Sequence, residues 1–262
     1  REVNLRPTDF SSVLNHPAKE KYLARLFLPE GEEALARLAC ERPILHLGTH
    51  QVLGVARPLF RALGDRLSFI QVARHPLFMI AHWHNYIHRF GTDPREFTVC
   101  LDCGGVEIPW FAHGWEEEYI RGSRMDRVIL SIAALSRLEE ETLGRLGAEE
   151  RSRLLILPFE RFTRDPEPYL KSLESLLSTE RTSLTPGALT KERIPRRISN
   201  DAPAHPHWQK GHGQTAPGRD SSEEAEKAKV WESVRAEASP SAVRTLEGLC
   251  AAYETRHLGA AP

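Results

Sequence analysis

The chain has 262 residues, 40% hydrophobic and 27% charged, which suits one large folded domain over residues 1–262 with a substantial core and disfavours a disordered or fibrous protein. Its 35 Lys and Arg against 36 Asp and Glu leave a formal charge of -1, which excludes the global basic field that draws proteins onto nucleic acid, so any anion site must be local. No run reaches the roughly 18 apolar residues of a membrane span, and four scattered cysteines are too few for a disulfide framework; together these predict a protein without a membrane-spanning segment in a reducing, cytoplasmic setting.

In chain order, helices are predicted after Asn15-His16-Pro17 and over Glu30 to Ala39. The apolar run Pro43-Ile44-Leu45-His46-Leu47-Gly48 reads as a strand, and Val52, Val55, Leu59 and Leu63 as the apolar stripe of the helix after it. A second strand, Leu67 to Ala73, stops at Arg74-His75-Pro76 and leads into a helix from Leu77 to about Phe90. Beyond a hairpin-like excursion through Gly104-Gly105, apolar residues at Met125, Val128, Ile129, Ile132, Leu135 and Leu138 give a long amphipathic helix. Arg153 to Leu157 reads as a third buried strand, ending at Pro158-Phe159-Glu160; Asp165-Pro166 opens a helix toward Leu177. Residues 198–229 shift to Pro, Gly, His, Ser and charge, predicting a mobile loop. A final helix is capped near Ser239-Pro240 and carries Val243, Leu246, Leu249 and Tyr253.

Strands alternating with helices predict an α/β fold, a three-layer parallel sheet flanked by helices on both faces. Ligands of such sheets bind beyond the carboxyl ends of the strands, here Gly48-Thr49-His50, Arg74-His75-Pro76 and Phe159-Glu160. At one such end the Arg74 guanidinium suits a bidentate pair with phosphate or sulfate, or equally a tie from a loop to a carboxylate. His50 is placed to take a proton from an acceptor, or to act only as a loop hydrogen-bonder. His82, His84 and His88 with Cys100 and Cys103 raise a zinc site, but their spacing lacks two compact ligand pairs, and the reading is no metal. The runs Glu116 to Glu118 and Glu139 to Glu141 read as solvated helix faces, and Glu160 as a buttress for a loop through backbone N–H groups.

Taken together, these segments resemble the sulfotransferases that use 3′-phosphoadenosine 5′-phosphosulfate (PAPS). The run Phe69 to Pro76 is similar to that family's strand ending in Arg-Asn/Asp-Pro, Gly48-Thr49-His50 to its Lys-Thr-His, and Leu155 to Phe162 with Asp165-Pro166 to its Tyr-Glu-Asp-Leu and Asp-Pro stretch. Trp208-Gln209-Lys210-Gly211-His212-Gly213 is loosely like its C-terminal Lys-Gly segment. The resemblance implies a P-loop NTPase-like sulfotransferase fold, PAPS as co-substrate and a small-molecule or glycan acceptor. His50 would be the general base, Arg74 and His82 would hold the 3′-phosphate, and Lys210 and Gly211 would close over it. The family's 5′-phosphosulfate loop would lie upstream of Arg1; lysine is replaced by Gly48, and the serine that partners the arginine by His82. Two alternatives stand beside transfer: a degenerate, non-catalytic binding domain, and a P-loop kinase or hydrolase, although no G-x-x-x-x-G-K-[ST] occurs in the chain.

Overall fold

In a computed structural model of the chain, the described residues are Cys40, 52–90, 98–199 and 222–259. The chain divides into two units, Arg1–His50 and Gln51–Pro262. Of the first, only Cys40 is described, and it is exposed; the two predicted N-terminal helices and the predicted strand Pro43–Gly48 lie outside the described residues.

In the second unit a 3-10 turn, Leu53–Val55, leads into helix α1, Arg57–Leu63. The buried stripe here is Leu53, Ala56 and Phe60, while Val55, Leu59 and Leu63 are exposed, so the helix is rotated from the face predicted by its apolar spacing. Gly54 accounts for the rotation. Its carbonyl accepts the Thr142 hydroxyl at 2.8 Å, and a Cβ on it would lie 3.1 Å from the Leu138 Cβ, so the turn packs backbone-first against the long helix.

Strand β1 is Phe69–Ala73 and helix α2 is Pro76–Tyr86, with proline in its first turn, where the missing N–H has no helical partner to lose. Strands β2, Cys100–Asp102, and β3, Glu107–Pro109, pair antiparallel through the predicted glycine turn. Gly104 and Gly105 there have φ of 68° and 87°, and Asp102 Oδ1 accepts the Gly105 N–H at 2.7 Å. Helix α3, Glu116–Arg121, carries three glutamates in its first turn, where the helix dipole favours negative charge.

Helix α4, Arg124–Arg145, starts on a reciprocal cap between Ser123 and Asp126 and buries the predicted stripe Met125, Val128, Ile129, Ile132 and Leu135. A short helix α5, Ala148–Ser152, precedes strand β4, Leu154–Pro158, which runs straight into helix α6, Phe159–Arg164. Helices α7, Glu167–Leu177, and α8, Thr185–Lys191, come next. Helix α9, Glu223–Glu237, begins inside the stretch predicted to be loop, and α10, Pro240–Tyr253, is capped by Ser239 as predicted, then ends in a π turn, Glu254–Leu258.

The predicted three-layer parallel sheet is not what these elements build. Among the described residues β1 and β4 form a two-stranded parallel pair and β2 and β3 a separate antiparallel pair. Two strands present too little surface for covering layers on both sides: Ile70 and Val72, on one face of β1, are 37% and 53% exposed. The core is instead helix on helix. Leu77, Ile80 and Trp83 of α2 pack with the α4 stripe, with Val234 of α9 and with Ala242, Leu246 and Cys250 of α10. Each fully buried aliphatic side chain contributes about 1.5–3 kcal/mol, so this helical cluster, and not a sheet, holds the unit together. Among the described residues no helix is long and apolar enough to cross a membrane.

Candidate functional site

The parallel pairing of β1 and β4 is in register from Phe69 opposite Leu154 to Ala73 opposite Pro158. The next residues, Arg74-His75 and Phe159-Glu160, therefore emerge side by side beyond the carboxyl ends of the strands. Two of the three strand ends predicted to converge do so; Gly48-Thr49-His50, and with it the predicted base His50, lies outside the described residues.

Glu160 organises this edge. Its side chain is 3% exposed; Oε1 accepts the His75 backbone N–H at 3.2 Å, the buttressing role read from the sequence, and Oε2 accepts the Tyr253 hydroxyl. The Ala73 carbonyl lies 3.3 Å from the same hydroxyl as a second acceptor. Burial first, and then the Glu160 carboxylate, push the Tyr253 phenol far above its ordinary range, so it stays protonated and donates. Tyr253 thus ties the end of α10 to both strand ends.

His75 is 1% exposed and both of its ring nitrogens are engaged. Nδ1 accepts the Leu77 N–H at 3.2 Å, capping α2 as an Asn or Asp oxygen would, which leaves the proton on Nε2, 3.1 Å from Glu254 Oε1. Lys227 Nζ donates to that oxygen at 2.7 Å. Burial pulls the His75 pKa below its ordinary value, partly offset by the bond to Glu254; Lys227 first, then His75, hold the Glu254 carboxyl below its own. A capping, neutral imidazole with both nitrogens in use is a structural part and not a proton shuttle.

Arg74 extends over the Phe159 ring, its guanidinium carbon 4.9 Å from the ring centre. A second guanidinium, that of Arg196, stands 5.5 Å from the same centre. Arg196 is fixed from three directions: its backbone N–H donates to the Thr163 carbonyl at 2.6 Å, Nε to Glu192 at 3.2 Å and Nη1 to Ser199 at 3.0 Å. Burial lowers the Arg74 pKa, Glu160 raises it and Arg196 lowers it again, so the two like charges feel one another. Beside them Ser199 donates to both Glu223 oxygens, from its N–H and its hydroxyl, at 3.0 Å each, and Arg164 pairs with Glu223 at 2.9 Å. Those bonds join the residues on either side of 200–221, the stretch that holds the predicted donor contacts Lys210 and Gly211, themselves outside the described residues.

His82 sits in the second turn of α2 with its ring stacked on Tyr86 at 5.7 Å. The histidines and cysteines weighed for zinc serve separate contacts: His84 faces Glu237 at 3.3 Å, His88 faces Arg124 at 3.0 Å, and Cys100 Sγ donates to the Thr98 carbonyl at 3.5 Å. Among the described residues no group of three or more His, Cys, Asp and Glu is placed to hold a metal ion. Sequence reasoning passed over Arg196 and Tyr253. The basic run Arg193-Ile194-Pro195-Arg196-Arg197 was a visible signal for the first; nothing marked Tyr253 beyond its place on an apolar stripe.

Chemically, the edge offers guanidinium groups and an aromatic face beside the carboxylates of Glu160 and Glu223, groups of the kind that bind a phosphate or sulfate. No protein-family model, curated protein or solved structure matches the chain.

Proposed function

We propose that this chain takes part in sulfuryl transfer from PAPS to a hydroxyl or amine of a small-molecule or glycan acceptor, with the donor's 3′-phosphate held at Arg74. The observation that supports this reading is the register of β1 against β4, which sets Arg74 beside Phe159 and Glu160 at one strand edge. That edge and the order of the sequence motifs carry the reading, which needs no three-layer sheet. PAPS would supply the activated sulfuryl group. The chain's part is positioning: Arg74, with His82, Lys210 and Gly211 in the roles the resemblance gives them, would orient the nucleotide, and His50 would accept the acceptor's proton. A cytoplasmic setting belongs to the same reading, in keeping with four free thiols.

Calorimetric titration with adenosine 3′,5′-bisphosphate, the desulfated donor, tests it. The chain should bind, and Arg74→Ala should weaken binding by about 2–4 kcal/mol, as for a charge-assisted contact in a cleft. Equal affinity of the two proteins would remove the central claim; binding with no transfer to any acceptor would leave a non-catalytic anion-binding domain.

A further inference from the structure

Helix α2 opens on a histidine, and its first turn leaves one backbone donor to a side chain. Pro76 has no N–H, the Phe78 N–H reaches the His75 carbonyl at 3.0 Å, and the Leu77 N–H is accepted by His75 Nδ1 at 3.2 Å. Leu77 is wholly buried, so water does not stand in for that acceptor. Cys250 Sγ of α10 faces the same N–H, but burial keeps its thiol protonated, and a thiol is a weak acceptor.

A ring nitrogen accepts a hydrogen bond only while it carries no proton. His75 Nε2 already holds the ring's one proton, toward Glu254 Oε1 at 3.1 Å, so a second proton enters at Nδ1, the position that the Leu77 N–H occupies. Two donors would then face one another in a buried place. The closed turn and the doubly protonated ring exclude each other, and acid favours the open turn.

The charged and titratable groups around the ring come from four elements: Glu254 of the π turn, Lys227 of α9, Glu160 of α6 and Tyr253 of α10. Burial disfavours a charged ring most strongly; Glu254 favours it, Lys227 opposes it while donating to the same Glu254 oxygen at 2.7 Å, and Glu160 favours it more weakly. Tyr253 lies edge-on at 5.2 Å and stays protonated, so it adds no charge. Ile80 and Trp83, further along α2, and Val128 and Leu246 on α4 and α10 lie in the helical core beyond the turn.

We infer that His75 is an acid-operated latch: a second proton on its ring displaces the Leu77 N–H and opens the first turn of α2 at the strand edge, while the helical core stays folded. The latch follows from these contacts and does not depend on the donor reading; it adjoins that site because Arg74 is the preceding residue.

The test is an NMR pH titration of the isotope-labelled chain that follows the His75 ring nitrogens, the Leu77 N–H and the methyl groups of Val128 and Leu246. The ring is expected to pass from its one-proton to its two-proton form below the ordinary 6.5, with the Leu77 N–H shifting in the same step and the core methyls unmoved. Each further pH unit should favour the open turn about tenfold. In His75→Asn, whose amide oxygen caps without titrating, the Leu77 step should vanish; the wild-type titration decides by itself if that variant does not fold. A ring that takes its second proton only as the folded core signals disappear would overturn the inference. So would a doubly protonated ring with the Leu77 N–H unmoved, or a Leu77 step of unchanged size in His75→Asn.

Discussion

Removing the Glu160 carboxylate should destabilise the second unit more than any other single polar change at the strand edge. The group is 3% exposed and accepts from the His75 N–H and the Tyr253 hydroxyl, and among charges it acts most strongly on Arg74. Glu160→Ala leaves a buried N–H and a buried hydroxyl without their acceptor, and removes a negative charge that favours the charged form of Arg74. Hydrogen bonds to charged groups contribute about 1.5–3 kcal/mol each, and this carboxylate accepts two, so the expected loss is about 3–6 kcal/mol, a large share of the roughly 5–15 kcal/mol that holds a domain folded. Glu160→Gln retains shape and an acceptor for His75, and should cost about 1–2 kcal/mol. Urea unfolding followed by circular dichroism measures both, and a cycle with Tyr253→Phe should return a coupling of about 1–3 kcal/mol. A loss below about 1 kcal/mol in Glu160→Ala, with the wild-type denaturant slope, would refute the claim that this carboxylate organises the strand ends.

Stability should vary with pH in two opposed ways. His75 has its pKa lowered from 6.5 in the folded chain, so the stability it confers is complete above 6.5 and is lost as pH falls toward the folded value; His75→Asn, which still caps α2, should flatten that limb of a urea-midpoint profile. Glu139, half-buried and hydrogen-bonded to Gln71 at 3.2 Å, is pushed up by burial from 4.5 to about 7, so its contribution is present below 4.5 and is lost as pH rises to about 7; Glu139→Gln should remove that dependence. Gly54→Ala should lower stability by about 1–3 kcal/mol on chemical denaturation, because the new Cβ would press on Leu138 at 3.1 Å against the long helix. The Cys250 thiol, buried and pushed up to about 12, should resist alkylation at pH 8 in the native state while exposed Cys40 reacts, as mass spectrometry of the labelled chain would read.

Periodicity made the local elements legible. The spacing of Met125 through Leu135 gave the long helix, Phe69 to Ala73 and Leu154 to Leu157 gave the strands that pair, and Gly104-Gly105 gave the turn between β2 and β3. It could not give the number of strands in a sheet, because a run of four or five apolar residues carries no record of its neighbours; the helices that seemed to cover a sheet pack on one another. The Val52 to Leu63 stripe misled for a related reason, since the close approach of Gly54 to α4 sets the rotation and leaves Val55 and Leu59 outside. Glu139 looked like its solvated neighbours, although its partner Gln71 lies on a strand far away in sequence. The site was half legible on the same terms. Arg74 and Glu160 are marked by their place at strand ends, whereas Arg196, Tyr253 and Glu254 reach the site through long-range packing that no local pattern encodes.

The most direct test of the central claim is the structure of the chain with adenosine 3′,5′-bisphosphate bound. The account predicts the 3′-phosphate beside Phe159 with its oxygens about 3 Å from the Arg74 guanidinium nitrogens. A bound nucleotide whose phosphates lie away from Arg74 would contradict it.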